Sequence, residues 1–144
     1  MRYLLYFVLA SFFLISSCST NSDTLESKDF SSKDNPIIGN WKLVEAYISS
    51  GGPQYWVNIE NGEGITFTSD GLFSSNRFSE CTNGEFSIEL NELFLNYSCS
   101  GFTTGFENPE GAITYTMTFE SNYLLLTPTS VTCIEGCSYK YIRK

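Results

Sequence analysis

The segment "AITYTMTFE" alternates strictly: Ile113, Tyr115, Met117 and Phe119 share one parity, while Thr114, Thr116, Thr118 and Glu120 share the other. Side chains of an extended chain point to opposite faces in turn, so this pattern predicts a strand with one face buried. In "FSIEL", Phe86, Ile88 and Leu90 alternate with Ser87 and Glu89. Asn91-Glu92 then forms a tight connection to "LFLNYSC", Ser121-Asn122 joins "AITYTMTFE" to "YLLLTPT", and Ser69-Asp70-Gly71 marks a hairpin between "GITFT" and "LFSSNRF". No stretch of this region carries a helical period.

The pattern predicts eight strands, over 39–48, 63–69, 72–79, 84–90, 93–99, 112–120, 123–129 and 137–143. Short turns near 70, 91 and 121 fall at one end, and longer connections at 49–62, 80–83, 100–111 and 130–136 fall at the other. With an even count, the last strand can lie antiparallel to the first and close the sheet, which removes exposed edges. The expected fold is all-β: an eight-stranded antiparallel up-and-down barrel, narrow enough to be filled by side chains or to hold one small ligand.

A different pattern precedes this. Residues 1–18 read "MRYLLYFVLASFFLISSC", with Arg2 followed by an apolar run from Tyr3 to Phe13 that is too short for a finished membrane span. It fits the apolar region of a secretory signal. Ser16 and Ser17 directly before Cys18 resemble the lipobox of bacterial lipoproteins, in which the peptide is cut before the cysteine and the cysteine carries lipid. The resemblance implies lipidation of Cys18 and attachment to a cell envelope. Ser19 after it favours the outer membrane in a cell with two membranes, with the periplasmic or surface face left open. Residues 19–35 are rich in Ser, Asp and Lys and poor in apolar residues, a composition that cannot bury enough surface to fold. The expected organisation is a signal peptide at 1–17, a lipidated cysteine and tether at 18–35, and a barrel domain at 36–144.

Charge and chemistry narrow the function. Removing residues 1–17 from 144 leaves 127, and losing Arg2 moves the formal net charge from −8 to −9. An acidic chain without a basic patch excludes nucleic acid and electrostatic docking on anionic lipid; the membrane is met through the lipid. There is no histidine, so Ser-His-Asp and Cys-His catalysis and most catalytic zinc sites are excluded. No carboxylate pair is placed on facing strands and no Gly-rich loop opens a helix. We expect no enzyme, no cofactor and no metal, and a monomer.

The start of the barrel, "IIGNWKLVEAY", carries Gly39-x-Trp41. This resembles the G-x-W motif of lipocalins, in which the tryptophan plugs the closed end of the barrel and a basic residue of the last strand packs over it; Arg143 holds the matching position. With the loop "SSGGPQYWVNI", the stretch "ITFTSDG" and the late "CIEGC", residues 37–144 resemble the lipocalin-like domain of small secreted lipoproteins of the Bacteroidetes group. The resemblance implies a small apolar or amphipathic ligand at the open end. A second resemblance, over 65–99, is to the META-type domain of bacterial envelope proteins, in which a D-G turn precedes an Asn-x-Phe and a cysteine.

Candidate ligand contacts follow from parity and position. If Trp41 and Leu43 point inward, alternation puts Glu45 beside them as a polar anchor, unless a bulge turns it out. Tyr115, Tyr139 and Tyr141 are candidates of the same kind or ordinary core; Tyr55 and Trp56, in the long first connection, are candidates for a lid or partner contact. Cys81, Cys99, Cys133 and Cys137 all fall at the end with the long connections. Four cysteines allow three pairings; strand directions favour Cys81–Cys99 and Cys133–Cys137. A zinc site of all four has the right ligand count, but exported thiols oxidise. The competing functional reading is a structural or interaction module, its barrel filled by some of the twelve Phe and nine Tyr.

Overall fold

The computed structural model describes residues 35–49, 51–105, 112–130 and 136–144. The expected signal peptide, Cys18, nearly all of the tether and Cys133 lie outside them.

Among the described residues, nine strands form one antiparallel sheet: β1 (Gly39–Ile48), β2 (Tyr55–Asn58), β3 (Gly64–Phe67), β4 (Leu72–Ser75), β5 (Asn83–Glu89), β6 (Glu92–Tyr97), β7 (Ala112–Glu120), β8 (Tyr123–Pro128) and β9 (Ser138–Arg143). Sequential neighbours pair from β3 to β9, and β9 returns to β1 with Trp41 opposite Arg143 and Tyr47 opposite Ser138. Eight strands therefore close a barrel, as the alternation predicts. Connections at 68–71, 90–91 and 121–122 mark the closed end, where the chain also enters. Cys81, Cys99 and Cys137 mark the other end.

β2 is the departure from the expected strand set, because residues 49–62 read as one long connection. The first half of β1, Gly39–Lys42, pairs with β3, and its second half, Glu45–Ile48, pairs with β2 along the same edge. Between them the chain bends out at residues 59–63. The bend is tied to β1 by Ile59 N–H donating to the Val44 carbonyl at 2.7 Å and Leu43 N–H donating to the Glu63 carbonyl at 2.9 Å. Gly62 makes this approach feasible, since a Cβ there would collide with the Leu43 carbonyl oxygen. The bend aims Glu63 at the barrel interior.

A second irregularity sits on the facing edge. The β1–β9 register shifts between Leu43 and Glu45, leaving Val44 as the extra residue of a bulge. Leu43 and Ala46, on either side of it, face the interior residues Tyr141 and Tyr139. Glu45 is thereby turned outward, where it pairs with Lys140. The expectation that Glu45 shares the inner face of Trp41 and Leu43 is corrected by this one-residue shift of parity.

The core is the barrel interior. Ile37, Trp41, Phe67, Phe73, Leu93, Leu124, Leu126 and Tyr141 belong to one continuous buried cluster. Burying each such side chain contributes about 1.5–3 kcal/mol. Trp41 seals the closed end: its indole N–H donates to the Ile37 carbonyl at 2.7 Å, and Phe119 packs 6.1 Å from its ring. The Arg143 guanidinium lies 4.6 Å from the Trp41 ring centroid and donates to the carbonyls of Ile38 (2.7 Å) and Pro36 (2.6 Å). Gly39 has φ +134°, and a Cβ there would come within 2.6 Å of the guanidinium. The Gly-x-Trp spacing and the basic residue of the last strand thus form one cation–π lock.

The Cys81–Cys99 disulfide staples the open end, with Cα atoms 5.7 Å apart. Cys137 is disulfide-bonded too, and Cys133, its expected partner, lies outside the described residues. The Cys81–Cys99 loop spans 18 positions, and closing a loop of that size restricts the unfolded chain by about 3 kcal/mol. Cys81→Ser/Cys99→Ser is expected to lose stability of that order, read as a lower denaturant midpoint with an unchanged far-ultraviolet spectrum.

At the closed end, the β5–β6 hairpin places Leu90 at φ +58° with its side chain wholly exposed. A side chain with a Cβ is disfavoured in that left-handed region, where glycine is free. Leu90→Gly is expected to stabilise the fold by about 0.5–1 kcal/mol, visible as a melting temperature a few degrees higher.

Candidate functional site

The open end of the barrel holds charge. Arg77 follows β4, and three local bonds aim it back over the interior. The Arg77 backbone N–H donates to the Ser75 hydroxyl at 3.1 Å, the Asn76 side-chain carbonyl accepts from Gly64 N–H at 2.7 Å, and Asn76 N–H donates to the Gly64 carbonyl at 3.3 Å. The short polar side chains of Ser75 and Asn76 thus replace ladder bonds and turn the chain inward.

Inside the barrel, Arg77 Nη1 donates to the Tyr115 hydroxyl at 3.0 Å and lies 3.5 Å from a Glu63 carboxylate oxygen. The same Glu63 oxygen accepts a hydrogen bond from the Tyr141 hydroxyl. The guanidinium also stacks over Tyr139 at 5.3 Å and Phe78 at 5.6 Å. The ion pair is half-buried, with side-chain exposures of 29% for Arg77 and 16% for Glu63.

This setting shifts the groups that titrate. Burial works against the Arg77 charge, but the oxygens of Tyr115 and Glu63 outweigh it, so the guanidinium holds its proton more tightly than usual. Burial pushes the Tyr115 phenol up to about 12; Arg77 works the other way, and Glu63 adds to the rise. Burial, then the Glu63 charge, holds the Tyr141 phenol well above its ordinary value, and burial likewise raises Tyr97.

Beside the ion pair, an aromatic cluster packs one side of the mouth. Tyr97 meets Phe73 and Phe78 edge-on at 5.0 and 5.3 Å, and Phe102 at a tilt at 5.3 Å. An open hollow of about 570 Å³ lies outside this cluster, lined by Phe78, Glu80, Cys99, Phe102 and Thr103 among others. A second hollow, of about 470 Å³, lies at the closed end against Trp41, Phe119 and Arg143.

The site predicted from sequence is partly assembled. Tyr115, Tyr139 and Tyr141 converge on Arg77 and its Glu63 partner. Tyr55, Trp56 and Glu45 do not: they lie along the outer wall and its β2 extension. Trp56 packs on Tyr47 at 5.0 Å, and Lys140 Nζ, bonded to Glu45, sits 4.5 Å from the Trp56 ring. Tyr55 is exposed on β2. Glu63 and Arg77 are the site residues that sequence reasoning missed. Parity carried the signal, because Glu63 shares a face with Ile65 and Phe67, and Arg77 with Phe73 and Ser75. Among the described residues, no group of three or more His, Cys, Asp or Glu could hold a metal ion.

No family model matches the chain, and no curated protein matches it in sequence. Among solved structures, a DUF4847 family protein from Bacteroides vulgatus is similar, at 17% identity over 75% of this chain and 94% of that one, with a TM-score of 0.48. A likeness of that degree carries no argument about what this chain does.

The raised phenols set an alkaline limit on stability. A group whose pKa is higher folded than unfolded supports the fold fully below its unfolded value and loses that support as pH rises through the folded one. With an ordinary value of 10 and a folded value of about 12 for Tyr115, the loss falls between pH 10 and 12. Tyr115 accounts for roughly 2–3 kcal/mol of it, and Tyr141 adds to it. Absorbance titration near 295 nm is expected to show these phenols ionising late, together with loss of tertiary structure.

Proposed function

We propose that this is a lipid-anchored cell-envelope protein with a lipocalin-like barrel that binds a small amphipathic ligand at its open end. The single observation that carries the reading is the Arg77–Glu63 pair inside the barrel mouth. A barrel that needed only to be filled gains little from a half-buried ion pair, because apolar side chains of similar volume serve stability as well or better. A charged pair ringed by phenols, set against an apolar core that includes Leu126 and Ile65 and below an open end, matches what fixes the polar end of a guest. The Trp41–Arg143 lock at the other end supports the lipocalin-like reading. Lipidation of Cys18 rests on the lipobox-like "LISSC", and the outer membrane on Ser19. The chain enters the barrel at the closed end, so anchoring there turns the mouth away from the membrane.

A second reading is a non-enzymatic structural or interaction module with a filled barrel. It is favoured by the aromatic cluster of Phe73, Phe78, Tyr97 and Phe102 at the mouth.

Native mass spectrometry of the full chain purified from its own host tests both. The expected result is a mature chain beginning at an acylated Cys18 with a co-purifying small molecule. Removing Arg77 alone would leave the Glu63 charge without its counter-ion, so the informative variant is Arg77→Met/Glu63→Gln. It should stay folded and lose at least about tenfold in ligand affinity, equivalent to about 1.4 kcal/mol. An empty protein from the host, or a guest held equally well by the variant, would favour the filled-barrel reading.

A further inference from the structure

Four large apolar side chains are exposed at or near the closed end: Leu72, Leu90, Phe119 and Ile142, at 45%, 100%, 36% and 41%. Leu90 is the extreme case. It occupies the first position of a two-residue hairpin, between paired Glu89 and Glu92, with φ +58°. Asn or Gly meets the backbone demand of such a position at less cost, and a polar residue would meet water better. A leucine there is unfavourable on both counts for an isolated domain. Phe119 is also unusual. It has the inward parity of Tyr115 and Met117, yet lies beyond the Trp41 plug and opens onto the hollow formed with Pro36, Asn122 and Arg143.

Two further observations say what covers this end. The chain enters the barrel here, at Asn35 and Pro36, and Arg143 binds the Pro36 carbonyl. Only 17 positions separate Cys18 from Asn35, a contour of at most about 60 Å, so a membrane anchor at Cys18 holds the barrel within that reach of the bilayer and attaches it by this end. Second, the turns bear Asp70, Glu89, Glu92 and Glu120 against Arg143 and Lys144. That balance repels an anionic surface and tolerates a zwitterionic one.

We propose that the closed end is a bilayer-docking face, with Leu90 as the residue that enters the lipid interface and Phe119 beside the hollow as its second contact. The surface it fits is the zwitterionic phospholipid face that holds the anchor. The barrel then stands on the membrane with its mouth outward at a fixed height. The docking rests on the lipid-anchor reading and adds to it a second, non-covalent contact. Lipoprotein acylation supplies more than one chain and holds the protein by itself; the apolar contact adds an orientation to that attachment.

The test uses the full, lipidated chain carrying Leu90→Trp in phosphatidylcholine vesicles, with unsubstituted protein as the background for Trp41 and Trp56. Position 90 is wholly exposed, so folding is not at stake. The expected result is flotation with the vesicles, a blue shift of the added emission, and at least twofold quenching by brominated acyl chains. Vesicles of phosphatidylglycerol should weaken the quenching. Flotation with a red, unquenched signal from the introduced tryptophan overturns the docking and leaves the anchor standing. Failure to float overturns the anchor and the docking with it. A blue shift that appears without lipid and grows with protein concentration assigns the face to a second copy of the chain and overturns the proposal.

Discussion

The pairing of β1 with β9 is the constraint on which the rest of the structure depends. It joins the two ends of the domain, from Trp41 opposite Arg143 to Tyr47 opposite Ser138. Without it the sheet would be an open ribbon with two long unpaired edges. With it, the interior becomes a single enclosed space in which Trp41 can be a plug and the tyrosines can converge. The Arg143 guanidinium reinforces the seam at its lower end by binding across to the entry segment. The bulge at Val44 relaxes it midway, and that relaxation decides which of the two carboxylates at hand, Glu45 or Glu63, faces inward.

The two carboxylates show how the site is built. Glu45 lies on a regular strand of inward parity and is expelled by a one-residue slip. Glu63 lies in a bend, is pressed against β1 through Gly62, and ends up inside. Each finds a cation. Glu45 meets Lys140 on the wall, where Trp56 and Tyr123 flank the ammonium; Glu63 meets Arg77 in the mouth. Both pairs are half-buried, with side-chain exposures of 21% and 28% for Lys140 and Glu45 against 29% and 16% for Arg77 and Glu63. The inner pair differs in its neighbours, the buried tyrosines Tyr115 and Tyr141 that carry the raised phenol values. The same pairing of charge and aromatic ring therefore occurs in two settings: on the outer wall beside Trp56 and Tyr123, and among the buried tyrosines at the barrel mouth.

Much of this was legible in the sequence. Strict alternation in "AITYTMTFE" marked β7, and the turn residues at 70, 91 and 121 marked the hairpins, so the strand count and closure followed. Gly39, Trp41 and Arg143 were legible as a unit through the resemblance to the lipocalin motif, which pairs a tryptophan of the first strand with a basic residue of the last. β2 was not, because Tyr55, Trp56, Val57 and Asn58 show no apolar–polar alternation; the strand overhangs the barrel wall and has no buried face to impose one. The bulge that turns Glu45 out was legible as an alternative, raised by a charge at a position of inward parity, and the register shift at Val44 realises it. Arg77 and Glu63 were legible by parity but lie at strand ends, where a charge reads as rim. What turns them inward is local: the hydrogen bonds of the Ser75 hydroxyl and of Asn76 at Arg77, and the close approach to β1 that Gly62 permits beside Glu63, which operate below the level of a hydrophobic pattern.

The Trp41–Arg143 lock has a consequence for the order in which the chain can fold. Ile38 and Arg143, which it ties together, are 105 positions apart. A chain made and delivered from its N-terminus first presents Trp41 and the open edge of β1 long before β9 exists to cover them. Every hairpin from β3 to β8 is local and can form on arrival, whereas the seam and the plug must wait for the last strand. The folding of this barrel is thus gated by its C-terminus, and the interval before that strand arrives is when the growing sheet most needs protection from other chains.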